Sequence, residues 1–83
     1  MNGGKIMTIV YDYMQSKNKR KPILYELDLV RKQEGKMWEK RHYYDNNFKD
    51  WTKDQREKAW SEYLAEKGKF VELFRQFCGY VIE

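Results

Sequence analysis

Cysteine is nearly missing from this chain. Cys78 stands alone, so no internal disulfide can form, which suits a reducing compartment such as the cytoplasm. Its apolar neighbours make it a buried, inert thiol rather than a reactive one. One histidine, His42, and one cysteine cannot together supply the ligands of a zinc site. Serine is scarce as well: Ser16 is expected on a loop and Ser61 on a helix, and nothing places either beside a base with an orienting third group. No run approaches eighteen apolar residues, so no membrane span is expected. The opening Met1-Asn2-Gly3-Gly4-Lys5 leads into only a few apolar residues before Asp12, too short and polar for a signal peptide. Gly3-Gly4-Lys5 has no strand before it and no helix after it, so it is not a phosphate loop. The expectation is a single soluble domain over 1–83, not an enzyme and without a cofactor.

What is present is charge and aromaticity. At 36% charged residues the chain could border on disorder, yet 41% hydrophobic and 17% aromatic content carries it into the folding range. A chain of 83 residues buries only about 60% of its unfolded surface, so not all of its aromatics fit inside and some must reach a surface. The net charge of +4 is unevenly placed. Residues 1–45 hold ten Lys and Arg against six Asp and Glu, whereas residues 46–83 hold seven of each. The densest point is Lys17-Asn18-Lys19-Arg20-Lys21, with no acid beside it.

Periodicity supplies the elements. Alternation of Met7, Ile9, Tyr11 and Tyr13 against Ile6, Thr8, Val10 and Asp12 predicts a strand over about 5–14, although helical spacing also fits. A second strand, about 23–32, is predicted from Ile23, Tyr25, Leu27 and Leu29 alternating with Glu26 and Asp28; Leu24 and Val30 are the exceptions. Pro22 just precedes it, where a missing donor does least harm. Gln33-Glu34-Gly35-Lys36 reads as a hairpin turn into a third strand, about 36–44, in a register that pairs Arg31 with Trp38 and Leu27 with His42. His42 then falls on the core face as a structural side chain. Thr52 and Gln55 have capping-box form ahead of a helix over about 53–78. Its stripe runs through Trp60, Leu64, Val71, Phe74 and Cys78, with a bend or break near Gly68 and a tail, Tyr80-Val81-Ile82, packing back. The predicted fold class is α+β, a three-stranded antiparallel sheet packed against a long C-terminal helix. This β-β-β-α arrangement is similar to the DNA-binding modules at the N-terminus of phage-type integrases and in plant AP2-like domains, which lay the sheet in the major groove. The resemblance is architectural; neither family's residue motifs are present, so no functional positions follow from it.

On this reading Lys17, Lys19, Arg20 and Lys21 project from the first loop, Arg31, Lys32 and Lys36 lie at the opposite end of the sheet, and Lys40 and Arg41 follow on the third strand. Together they form a basic loop and sheet edge able to neutralise phosphates, with Tyr11, Tyr13, Trp38 or Tyr43 available for stacking. The leading expectation is a non-catalytic binding module contacting nucleic acid or a nucleoprotein. The alternative is a small phage- or mobile-element-type inhibitor or adaptor that binds a host protein, such as a nuclease, through aromatic and Arg anchors. Homodimerisation through Phe70–Phe77 is compatible with either. Glu26, Asp28 and Glu39 on one sheet face beside Lys32 and Arg41 could hold Mg²⁺, but alternating charges on a solvated sheet face are the simpler explanation.

Overall fold

The computed structural model describes residues 7–82. Gly3-Gly4-Lys5 and the first two residues of the expected 5–14 strand lie outside the described residues. The first elements among the described residues are β1 (Thr8–Tyr11) and a 3-10 turn (Tyr13–Gln15). The chain continues through α1 (Leu24–Asn47), a second 3-10 turn (Phe48–Asp50), α2 (Lys53–Phe77) and β2 (Gly79–Ile82). The molecule is thus a two-helix hairpin closed at its open end by a two-stranded ribbon. Contacts between Gln33 and Glu66, Lys40 and Glu62, and Tyr44 and Trp60 descend in step, so the helices run antiparallel.

This corrects the three-stranded sheet. Residues 23–32 and 36–44, expected as paired strands, are one continuous helix, and Gly35 sits inside it rather than in a turn. The physical reason lies in what α1 buries. Its inward positions are Glu26, Val30, Gln33 and Met37, spaced four, three and four apart as a helix requires, but half of them are polar. A search for apolar periodicity alone sees only fragments of that stripe, while Leu27 and Leu29 suggest a false alternation. Intrinsic propensity points the other way: Glu, Lys, Arg, Gln, Leu and Met dominate 24–41, and all are strong helix formers. Tertiary pairing adds nothing that would override them. Pro22 is buried just ahead of the helix, where its missing N–H costs nothing. Glu26 accepts the Ile23 N–H at 3.0 Å, satisfying one of the donors orphaned at the helix start.

α2 follows ordinary rules. Thr52 Oγ1 accepts from the Gln55 N–H at 3.3 Å, and Gln55 Oε1 accepts from the Thr52 N–H at 2.9 Å. The helix passes through Gly68 without a break. It buries Tyr63, Phe70, Val71 and Phe74, which with Val30, Met37, Cys78 and Val81 make the core. Phe70 and Phe74 are therefore interior residues, so the Phe70–Phe77 segment is not a free dimerisation face.

The C-terminal tail pairs antiparallel with β1, Thr8 opposite Ile82 and Tyr11 opposite Gly79. Among the described residues, only 8–11 of the first expected strand pair as a strand, because Asp12 then caps the 3-10 turn by accepting from the Met14 N–H. A two-stranded ribbon is marginal by itself, so it depends on Val81 and Cys78 being buried against α2. At Gly79 a Cβ would collide with the Val10 carbonyl oxygen and lie 2.6 Å from the Asp12 nitrogen, so backbone approach dictates glycine there.

Candidate functional site

The basic run 17–21 is built onto the end of α2. The Lys17 and Asn18 N–H groups donate to the carbonyls of Arg75 and Gln76 at 2.9 and 3.2 Å, and Gln76 Nε2 donates to Asn18 Oδ1. These bonds satisfy carbonyls that a helix C-terminus otherwise leaves orphaned. The buried Ser16 tightens the loop, its hydroxyl donating to Tyr13 O at 2.6 Å and accepting from the Lys19 N–H at 3.1 Å. Lys19 takes a left-handed φ of 51°. Positive side chains here face the negative end of the α2 dipole, a stabilising arrangement that needs no ligand.

Arg20 folds over to Glu26 in a bidentate pair at 2.9 and 2.7 Å. That guanidinium, then the Ile23 N–H, hold the Glu26 carboxyl below its ordinary range against the opposing effect of its burial. Elsewhere Lys32 pairs with Asp28 at 3.0 Å, Lys40 with Glu62 at 3.2 Å and Arg41 with Asp45 at 3.1 Å. The Arg41 guanidinium also lies 5.2 Å from the Trp60 ring centre and 5.5 Å from that of Tyr63. Of the nine basic residues expected to act together, four are thus matched to carboxylates. Lys17, Lys19, Lys21, Arg31 and Lys36 are exposed without an ion pair among the described residues. The sheet edge on which five of the nine were placed does not exist: Arg31, Lys32, Lys36, Lys40 and Arg41 are spread along and around α1.

The other expected placements change too. His42 is exposed on α1 rather than facing the core. Glu26 is buried while Asp28 and Glu39 are exposed, so the three do not share a face, and no group of three His, Cys, Asp or Glu able to hold a metal occurs among the described residues. Cys78 is fully buried, and burial pushes its thiol pKa up, which keeps it protonated at neutral pH.

The aromatic surplus divides into two. At the closed end of the hairpin Tyr43, Tyr44, Phe48, Trp51, Trp60 and Tyr63 form a chain of edge and tilted contacts at 4.9 to 6.3 Å between centres. Arg56 lies 3.9 Å over Phe48 and donates to its carbonyl. These rings lock the interhelical connection. Tyr43 is thereby engaged with Trp51, and Trp38 donates to Glu34 at 3.2 Å.

The open end is different. An apolar groove of about 710 Å³ runs between the first half of α1, the end of α2 and β1, floored by Leu27, Val30, Phe74 and Cys78 and flanked by Tyr11 and Leu24. Asp28, Arg31 and Glu34 form its polar rim on α1. Leu24 is 84% exposed, Tyr25 68% and Tyr11 57%. Leu24 and Val30, the two residues out of step with strand alternation, turn out to flank and to floor this groove. That misfit was the available clue.

Comparison of the chain with protein-family models, with curated proteins and with solved structures returns no match in any of the three. No helix among the described residues is long and apolar enough to cross a membrane.

Proposed function

We propose that this chain is a non-catalytic binding module, an inhibitor or adaptor, that docks on a protein partner through the apolar groove at the open end of its hairpin. The observation that carries this reading is Leu24, 84% exposed at the first helical position of α1 and beside an unfilled apolar depression. A small domain gains nothing in its own stability from such a residue. A partner that covers Leu24, Tyr11 and Tyr25 desolvates a large aromatic and aliphatic area, with Arg31 and Asp28 at the rim to fix register.

The test is affinity capture on the immobilised chain, with washes across a salt series and with nuclease treatment. Docking through the groove predicts a stoichiometric protein complex that survives high salt and nuclease and weakens at least about tenfold with Leu24→Asp. A complex lost with nuclease, or insensitive at Leu24, overturns the reading.

One observation favours nucleic acid as a second reading: Lys17, Lys19 and Lys21 are exposed on one loop without a carboxylate partner among the described residues. Contact through them is phosphate neutralisation, so affinity falls steeply with salt and is lost when all three become Glu. The matching of Arg20, Lys32, Lys40 and Arg41 to carboxylates leaves this reading the weaker support.

A further inference from the structure

Pairing with β2 leaves the other edge of β1 open, and a single bond fixes which groups lie along it. The Asp12 N–H donates to the Cys78 carbonyl at 2.9 Å, continuing the register in which Tyr11 lies opposite Gly79. Antiparallel ladders alternate hydrogen-bonded with non-bonded pairs, so Thr8 and Val10 turn their N–H and C=O groups toward β2. Ile9 and Tyr11 turn theirs the other way. No hydrogen bond reaches the main chain of either among the described residues. The far edge of the ribbon is different: there Arg75 Nη2 donates to the Val81 carbonyl at 3.4 Å.

The open edge borders the apolar groove. Tyr11 ends the strand and flanks the groove, with Leu24 and Leu27 of α1 on the far side and Phe74 and Cys78 in the floor. Ile9 and Tyr11 share a face with Val81 and Gly79, both buried, so a side chain added beside them on that face points toward the body of the molecule. A partner that seals this side of the groove also covers the edge. A docked helix spends its own main-chain groups internally, so it leaves the edge unpaired at the full cost of desolvation. An extended segment pairs with it instead. A second copy of this chain could offer β1, but that strand carries β2 on its other edge, where α1 stands across the groove.

We propose that the protein partner enters the groove as an extended segment, which adds a third strand to β1 through the main chain of Ile9 and Tyr11 and lodges every second, apolar side chain in the groove. This inference rests on the groove as the docking site and specifies what fills it. The main-chain bonds hold the segment whatever its sequence, and the pockets beneath alternate residues select it.

Random peptides of about twelve residues, displayed on phage and selected on the immobilised full chain, are the probe. The expected binders carry apolar residues two apart and weaken at least about tenfold with Leu24→Asp. Synthetic copies of a selected peptide, N-methylated one residue at a time, are expected to lose at least about tenfold in affinity at alternate residues and under about threefold between them. On the protein, Ile9→Pro removes only an outward donor, so β1 stays paired while peptide binding falls at least about tenfold; Ile9→Val changes it under about threefold. Amide exchange reports both points: Val10 stays protected in Ile9→Pro, and in the unaltered chain the Ile9 and Tyr11 amides become protected only with saturating peptide. If Ile9→Pro loses the Val10 protection, the N-methyl scan and the exchange at Ile9 and Tyr11 decide alone. Binders with apolar residues three and four apart, or Ile9 and Tyr11 amides unchanged by peptide, overturn the strand; if those binders are still lost with Leu24→Asp, the groove stands as the docking site. Binders indifferent to Leu24→Asp, or no binder at all, overturn both.

Discussion

The two helices of the hairpin are nearly equal in length, 24 and 25 residues, yet they are built by opposite means. α2 buries an unbroken apolar set, Tyr63, Phe70, Val71 and Phe74, and begins on a reciprocal side-chain cap. α1 buries Glu26 and Gln33 alongside Val30 and Met37, and it is tied down by bonds rather than by area. Glu26 holds the incoming loop through Arg20, and Gln33 Nε2 donates to the Glu66 carbonyl and carboxylate at 3.0 and 2.6 Å. A helix held by area can be found from its pattern; a helix held by specific polar bonds cannot.

That contrast can be broken most severely from the α2 side. Phe70 is 1% exposed at the centre of the core, and Phe70→Ala is expected to cost about 3–5 kcal/mol in urea denaturation, a large part of the stability of so small a domain. A loss under 1 kcal/mol would show that the core lies elsewhere. Next comes the ribbon that joins the helix to the N-terminus: Gly79→Ala drives a methyl into the β1 backbone and is expected to cost about 1–3 kcal/mol. Amide exchange at Val10 and Val81 should rise with it, and unchanged protection there would count against the pairing.

On the α1 side the expected effects are smaller and chemically different. Gln33→Ala removes both bonds to Glu66 and should cost about 1 kcal/mol. The Gln33 amide, the largest influence, also holds the Glu66 carboxyl below its ordinary range, as Arg20 does for Glu26. Both carboxyls have a lower pKa folded than unfolded, so they stabilise the fold fully at neutral pH. That contribution fades as the pH drops below the unfolded carboxylate value and through the lower folded ones. Urea midpoints measured from pH 7 to pH 3 should therefore fall, and Glu26→Gln should flatten the slope; an equal slope in the variant would remove Glu26 from the account.

The smallest effect has the most informative sign. Inside a helix, Gly35→Ala stabilises by about 0.5–1 kcal/mol, whereas in a hairpin turn with positive φ it destabilises. A lowered Tm would reinstate the turn.

Legibility in the sequence follows the same division. Thr52 and Gln55 mark the start of α2 and the aromatic stripe marks its buried face, and both are visible without coordinates. The solvated thiol-free surface was equally plain from Cys78 standing alone among apolar residues. α1 was hidden because Leu27 and Leu29 imitate alternation while Glu26 and Gln33, which do face inward, look like surface residues. Gly35 then completed the error, since a glycine after Glu34 satisfies a turn as readily as it weakens a helix. Seven of the nine basic residues are exposed and Lys40 and Arg41 are half-buried, and they do not form one edge, because winding 31–41 into a helix scatters what a strand would align. The groove had only the misfit of Leu24 and Val30 to announce it.

Everything about the surface depends on residues 24–47 winding as one helix. Backbone nuclear Overhauser contacts from Arg31 through Trp38 decide the matter. The account predicts sequential amide–amide contacts and Cα-to-amide contacts three residues ahead, running uninterrupted across Gly35. A cross-strand contact between Arg31 and Trp38, with extended shifts on either side of Gly35, would contradict it.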